Sequence, residues 1–278
     1  MQGASRASLA SLREVLAERT GSANIAALAK VSGQLFAVVT LLAGQGSLRR
    51  TLSDPAVEAE AKVRVVDSLF AERLDSAALE VVRALARLRW SEPRDVVDAL
   101  EALAVESALQ QAEGEGVLDE VEDELFRFGR IVDGEPQLRA ALTDRNLPTA
   151  RKSDLLHRLV DGKVADVTAS LIERAVVSPR GRTIERVLDD YAQLAAGRRE
   201  RLIAHVTSAV DLTDDQQERL AEALRREFGR EIRLQVVVDP SLLGGITVRI
   251  GDELIDGSVS RHLTEARRRM TGGSGSRF

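Results

Sequence analysis

The chain has 278 residues, enough for about two domains, and its 44% hydrophobic and 30% charged residues place it among globular rather than fibrous or disordered chains. Aromatic residues make up only 3%, too few for a large β-sandwich, so Ala, Leu, Arg and Glu point to helix as the bulk of the fold. A net charge of −5 argues against a nucleic-acid binder, and the absence of cysteine excludes disulfides, thiolate catalysis and zinc–thiolate sites. No apolar run approaches the roughly 20 residues that span a bilayer, and Met1-Gln-Gly-Ala-Ser-Arg6 lacks the apolar core of a signal peptide. The expectation is a cytoplasmic protein that meets a membrane only through partners.

Leu9, Leu12 and Leu16 recur at helical spacing over 7–18, and Ile25, Leu28, Leu35, Val39 and Leu42 do so over 23–43. Gly44-Gln-Gly46 ends that helix, and Leu48 to Leu52 suits a short one. Asp54-Pro55 reads as an N-cap followed by proline at the first helical position, opening a helix with Ala61, Val65, Val66, Leu69 and Phe70 on its apolar face. A further helix after Asp75 uses Leu79, Val82, Leu85 and Ala86. Ser91-Glu-Pro93 interrupts, and a long stretch to Val132 follows, weakened or bent at Gly114-Glu-Gly116.

The next segment repeats the first at an offset of 90 positions. Leu35-Phe36 falls on Leu125-Phe126, Leu48-Arg49 on Leu138-Arg139, Asp54 on Asp144, Lys62 on Lys152 and Leu69 on Leu159. The match crosses a turn as well as helices, which favours one helical unit used twice over chance similarity between Leu/Arg/Ala-rich helices.

From about Arg201 the apolar period changes from helical to alternating, with Leu202, Ala204 and Val206 on one face of a strand. Thr213 and Gln216 form a capping box for a helix burying Leu220, Leu224 and Phe228, with Gly229 as C-cap. Ile232–Val238 and Ile246–Ile250 read as strands, Gly251-Asp252 as a hairpin turn into Leu254-Ile255, and Val259, Leu263, Ala266 and Met270 as one face of a last helix. The predicted fold is mostly α with a small α+β domain. It comprises a first helical bundle (1–104), a second entered by a long connecting helix (105–196), an α+β domain (197–271) of three to four strands and two helices, and a disordered tail (272–278).

Candidate chemistry is sparse. Gly244-Gly245 precedes Ile-Thr-Val-Arg-Ile, a strand, whereas a phosphate loop requires Lys-Ser/Thr and a helix, so the pair reads as a sheet turn. His157, His205 and His262 lie on different elements without metal-ligand spacing. Asp189-Asp190 and Asp214-Asp215 read as solvated or helix-capping carboxylates. Arg198-Arg199-Glu200-Arg201 and Arg267-Arg-Arg269 lack stacking aromatics, and the lone Trp90 reads as core of the first bundle. No cofactor, metal or catalytic residue is expected.

The block Val236-Val-Val-Asp-Pro-Ser-Leu-Leu-Gly-Gly-Ile-Thr-Val-Arg-Ile-Gly-Asp-Glu-Leu-Ile-Asp-Gly-Ser-Val-Ser-Arg-His-Leu263 resembles the carboxy-terminal signature of the F-type ATP synthase delta subunit (oligomycin-sensitivity-conferring protein) family. The residues that carry the resemblance are Asp239, Leu243, Gly244, Gly245, Arg249, Gly251, Asp256, Gly257 and Ser258. Weaker likeness extends back through Leu138-Arg-Ala-Ala-Leu142 and Ser178-Pro-Arg-Gly-Arg182. Typical members are shorter, with one bundle; enlarged forms occur in actinobacteria, and the extra bundle matches the duplicated copy here. The family's Arg-x-Tyr-Ala motif in the first helix is replaced by Ala4-Ser-Arg-Ala-Ser-Leu-Ala10.

The resemblance implies a non-catalytic stator subunit of the peripheral stalk, at the cytoplasmic face of the cell membrane. Its helical part would grip the alpha subunits of the alpha/beta hexamer, with Leu9, Leu12 and Leu16 as the candidate face. Its carboxy-terminal domain would engage the membrane-anchored b subunit. The alternative from another class is a helical scaffold or regulator unrelated to the synthase.

Overall fold

The computed structural model of the chain describes residues 1, 3–144, 146–200, 203–228, 232–240, 242, 244–251 and 253–256. It divides into two compact units, Met1–Ala195 and a second beginning at Ala196. The first is helical: α1 (Gly3–Thr20), α2 (Ile25–Gly44), α3 (Gly46–Ser53), α4 (Ala59–Phe70), α5 (Ser76–Arg87), α6 (Pro93–Glu115), α7 (Leu118–Gly134), α8 (Pro136–Thr143), α9 (Thr149–Val160), α10 (Asp166–Val177) and α11 (Ile184–Glu200).

The offset of 90 is visible in the helix boundaries: α3, α4 and α5 superpose in number on α8, α9 and α10. The local bonds repeat with them. The Asp54 carboxylate accepts from the Ala56 N–H at 2.8 Å, and Asp144 accepts from Asn146 at 2.8 Å. Gln34 on α2 accepts from the Asp75 N–H at the start of α5. Its counterpart Glu124 on α7 accepts from Ala165 before α10. Each long helix thus supplies a side chain to the orphan N–H groups of a later helix.

The same arithmetic gives α6 two roles. It is the counterpart of α11 as the last helix of the first copy, and of α1 as the first helix of the second. Packing follows suit, with α1 against α5 and α6 against α10. A helix shared by two bundles has little surface left for water along its middle. Twelve of its side chains are buried, on nearly all sides. The expected boundary at 104/105 lies inside α6, and both predicted bundles belong to one compact unit.

Four expectations change. Asp54 does not cap α4: its carboxylate closes a turn with Ala56, and the helix starts five residues later at Ala59. The buried stripe of α4 is Lys62, Val63, Val66 and Phe70, while Val65 is half-buried and Leu69 exposed. The stretch from Pro93 to Val132 is two helices, because Gly116 adopts φ 76° and caps α6. Finally, α2 is long and apolar enough to cross a membrane by length and composition. Single polar residues hide this in the sequence. In the fold α2 is a core helix, its Ser32 hydroxyl bonded to the Ala104 carbonyl of α6 and its Leu28 carbonyl to Ser107. Trp90 is buried, its Nε1–H on the Leu85 carbonyl.

The second unit contains β1 (Ile203–Ser208), α12 (Asp214–Phe228), β2 (Arg233–Val238), β3 (Ile246–Ile250) and β4 (Glu253–Asp256), in sheet order β2-β1-β3-β4. The α12 crossover makes β1 and β2 parallel; β3 and β4 run antiparallel. Ala204, Val206, Leu224, Ile232, Val248 and Ile250 form the core. The capping box is present: Thr213 N–H donates to Gln216 Oε1 at 3.0 Å and Gln216 N–H to Thr213 Oγ1 at 3.3 Å. Gly229, the helix expected over 259–270 and the tail lie outside the described residues.

Lys62, only 4% exposed, carries the one lowered lysine pKa resolved among the described residues. Burial disfavours its charge, and Asp54 offsets this in part. The unfolded chain therefore binds more protons between the folded and unfolded pKa values, and stability rises with pH across that window. Lys62→Met is expected to be more stable than the parent in urea at pH 7, with an advantage that shrinks as pH approaches the ordinary lysine value. A pH-independent difference would remove burial of the charge as its cause.

Candidate functional site

The first unit concentrates its polar chemistry at one corner. Glu101 on α6 is 4% exposed, in the middle of an apolar run. The loop between α10 and α11 brings Arg180 and Arg182 to it. Arg182 Nη2 donates to both carboxylate oxygens at 2.8 and 2.7 Å, the Tyr191 hydroxyl of α11 donates to Oε1 at 3.0 Å, and Arg180 Nη2 donates to Oε2. Arg180 Nη1 bonds Asp98 at 2.7 Å, and Arg182 Nη1 bonds Asp190 at 3.2 Å. Burial works against the Arg180 charge, but Glu101 and then Asp98 outweigh it and hold the guanidinium above its ordinary range. Burial, followed by the Glu101 charge, pushes the Tyr191 hydroxyl well above its usual value, so it stays a donor.

The loop reaches this position under strain. Arg180 has φ 53°, the only positive φ outside glycine among the described residues, a conformation costing about 1–3 kcal/mol. Its Nε–H is buried without a hydrogen-bond partner. Beside the loop lies a cleft of about 820 Å³ lined by Arg94, Asp98, Arg182, Arg186 and Asp190 among others. Its charges are largely consumed by one another. This corner is suited to holding helices together, and it contains no nucleophile–base pair.

Sequence reasoning met Ser178-Pro-Arg-Gly-Arg182 only as a likeness and missed Glu101. The available signal was one carboxylate between Leu100 and Leu103, with Tyr191 90 positions later.

In the second unit, Asp239 follows β2, its N–H bonded to the Ser208 carbonyl at 2.8 Å. Gly244 and Gly245 adopt φ 131° and 84°, turning the chain into β3, and Gly251 has φ 56° at the β3–β4 hairpin. Arg249 is exposed and stands in register between His205 and Leu254, while Asp256 pairs with Thr247 at the end of β4. The His205 ring Nε2 lies 2.6 Å from Glu200 Oε1. Leu243, Gly257, Ser258 and His262 lie outside the described residues. Among those described, no group of three or more His, Cys, Asp or Glu is placed to hold a metal ion.

Leu9, Leu12 and Leu16 are not a docking face. Their exposures are 7%, 0% and 4%, because they form the inner stripe of α1. Any partner of α1 would meet its outer side instead.

The family model for the ATP synthase delta (OSCP) subunit matches residues 104–270. That span begins inside the shared helix α6, takes in α7 to α11 and the sheet unit, and leaves α1 to α5 outside. Curated relatives extend over the first copy as well. The ATP synthase subunit delta of Streptomyces avermitilis is 47% identical over 268 residues, covering 96% of this chain and 98% of the relative. That of Kineococcus radiotolerans is 48% identical over 270 residues, covering 97% and 98%. A chain in the cryo-EM structure of the Toxoplasma gondii mitochondrial ATP synthase hexamer aligns with TM-score 0.32 and 19% identity, over 60% of this chain and 95% of that one.

Removing Glu101 leaves two guanidinium groups and a hydroxyl without their shared acceptor. Glu101→Ala is expected to cost about 3–5 kcal/mol of stability, read as a lowered urea midpoint of the full chain. A loss below about 1 kcal/mol would mean that water replaces the carboxylate. At the sheet turn, a β-branched side chain at φ 84° is strained by about 1–3 kcal/mol. Gly245→Val should therefore accelerate amide exchange in 246–250, and unchanged protection there would contradict the turn's need for glycine.

Proposed function

The chain belongs to the ATP synthase delta (OSCP) subunit family, and we propose that it works in the peripheral stalk as a connector without catalytic activity of its own, joining the alpha subunits of the catalytic head to the b subunit. The observation that carries this reading is the combination of a family match over 104–270 and relatives near 47% identity along almost the whole chain. In this reading the helical unit meets the head, the sheet unit meets b, and the protein sits at the cytoplasmic face of the membrane through those partners. Two separately cored units suit a bridge, because two weak contacts joined in one chain reinforce each other.

The mechanical task is to keep the head from turning with the rotor. That task requires broad contact surfaces and stiff elements, not a reactive group. The helical unit has the stiffness of a long core helix, α6, shared by both copies. The sheet unit presents Arg249 on an exposed strand position, and Val237 is 55% exposed on the edge strand β2. The family match beginning at 104 supports reading the second copy as the counterpart of the single bundle of shorter members and the first as the addition.

A photo-crosslinking residue placed at Arg249, or at exposed Phe126 of α7, tests the division of labour in the assembled synthase. The expected adducts are with b from position 249 and with alpha from position 126. The reverse pattern overturns the assignment, and adducts with neither partner at either position reject the connector reading.

A further inference from the structure

The corner between the last two helices of each copy is built in two chemically different ways. In the first copy the chain between α5 and α6 is fastened to α1 by neutral bonds. Ser8 Oγ donates to the Arg89 carbonyl at 2.6 Å, and the Ser91 N–H donates to Ser5 Oγ at 2.8 Å. Ser5 and Ser8 are buried. At the offset of 90 their counterparts on α6 are Asp95 and Asp98. In the second copy Asp98, with Glu101 one turn on, receives Arg180 and Arg182 from the chain between α10 and α11. The same place is closed by serine hydroxyls in one copy and by buried ion pairs in the other.

The ionic closure carries burdens that the neutral one lacks. Arg180 is held at φ 53° and its buried Nε–H has no partner. Ion pairs taken out of water are also sensitive to the loss of any one member. Three helices of the second copy are less deeply seated than their counterparts, while α10 and α5 bury six residues each. The α7 helix buries five residues where α2 buries eight, α9 two where α4 buries four, and α11 five where α6 buries twelve. Local opening occurs first where fewest apolar groups are buried.

We propose that the α10–α11 loop is a releasable clasp: a strained arginine strap, held to α6 by Asp98 and Glu101, that lets the second copy open at this corner while the first stays closed. The cleft beside it widens when the strap leaves, exposing the face of α6 that Arg180 and Arg182 now cover. The clasp is a property of the chain alone, independent of which partners it engages.

Hydrogen exchange read by mass spectrometry on the full chain tests this. In the parent, amides of α10 and α11 should exchange through a cheaper opening than those of α2, α5 and α6. Glu101→Gln and Asp98→Asn should each raise exchange in 166–195 by about tenfold or more, with less than about twofold change in α1–α5. Equal acceleration of both copies would overturn the clasp and make the cluster a general contribution to stability. No acceleration in either variant would overturn it too. Should Glu101→Gln fail to fold, Asp98→Asn decides, since Asp98 sits at the rim with its side chain 36% exposed.

Discussion

The helical unit depends on one constraint: α6 must serve two bundles at once. Most of the middle of a helix so placed faces protein, so its sequence there must be apolar or small on nearly every side. The Ala99, Ala104, Ala108 and Ala112 positions, all buried, permit close approach. Polar groups on such a helix need partners in advance, because burial removes water as the default acceptor or donor. Ser107 bonds the Leu28 carbonyl, and Glu101 gathers two arginines and a tyrosine.

From that constraint follows the unequal character of the two copies. The first copy closes on both α1 and α6 and buries more of its α2 and α4 than the second does of α7 and α9, while α5 and α10 bury six residues each. The second begins on the shared helix and ends on α11, whose inner face is narrower. Phe36 and Phe126 occupy equivalent positions, yet the first is 4% exposed beneath the Arg174 guanidinium and the second 62% exposed. An identical residue in an identical repeat position has a different fate because the first copy has the second beside it. One sequence unit thus yields a well-seated copy and one with more exposed helix faces.

The sheet unit solves a separate problem with separate means. Its core is small, so turn geometry carries much of the specification. Positive-φ glycines at 244, 245 and 251 set the register of β3 and β4, and a capping box starts its helix. Those devices are local, which is why the motif could be read from the sequence.

What the sequence determined by itself was whatever depends on neighbours along the chain. That includes helix or strand from apolar period, the capping box from Thr213 and Gln216, the duplicated unit from an offset of 90, and the family from the residues around Gly244-Gly245. What only the tertiary structure decided depends on residues far apart in sequence. The reuse of α6 by both copies, the burial of Leu9, Leu12 and Leu16, the inward seat of Lys62, and the meeting of Glu101 with Arg180, Arg182 and Tyr191 are all of this kind. Periodicity states that a helix has an apolar face; it does not state how many faces will find partners. A lone carboxylate on an apolar helix announces only that a counter-charge is required, and the identity of that charge is settled when a loop some 80 residues later folds back onto it.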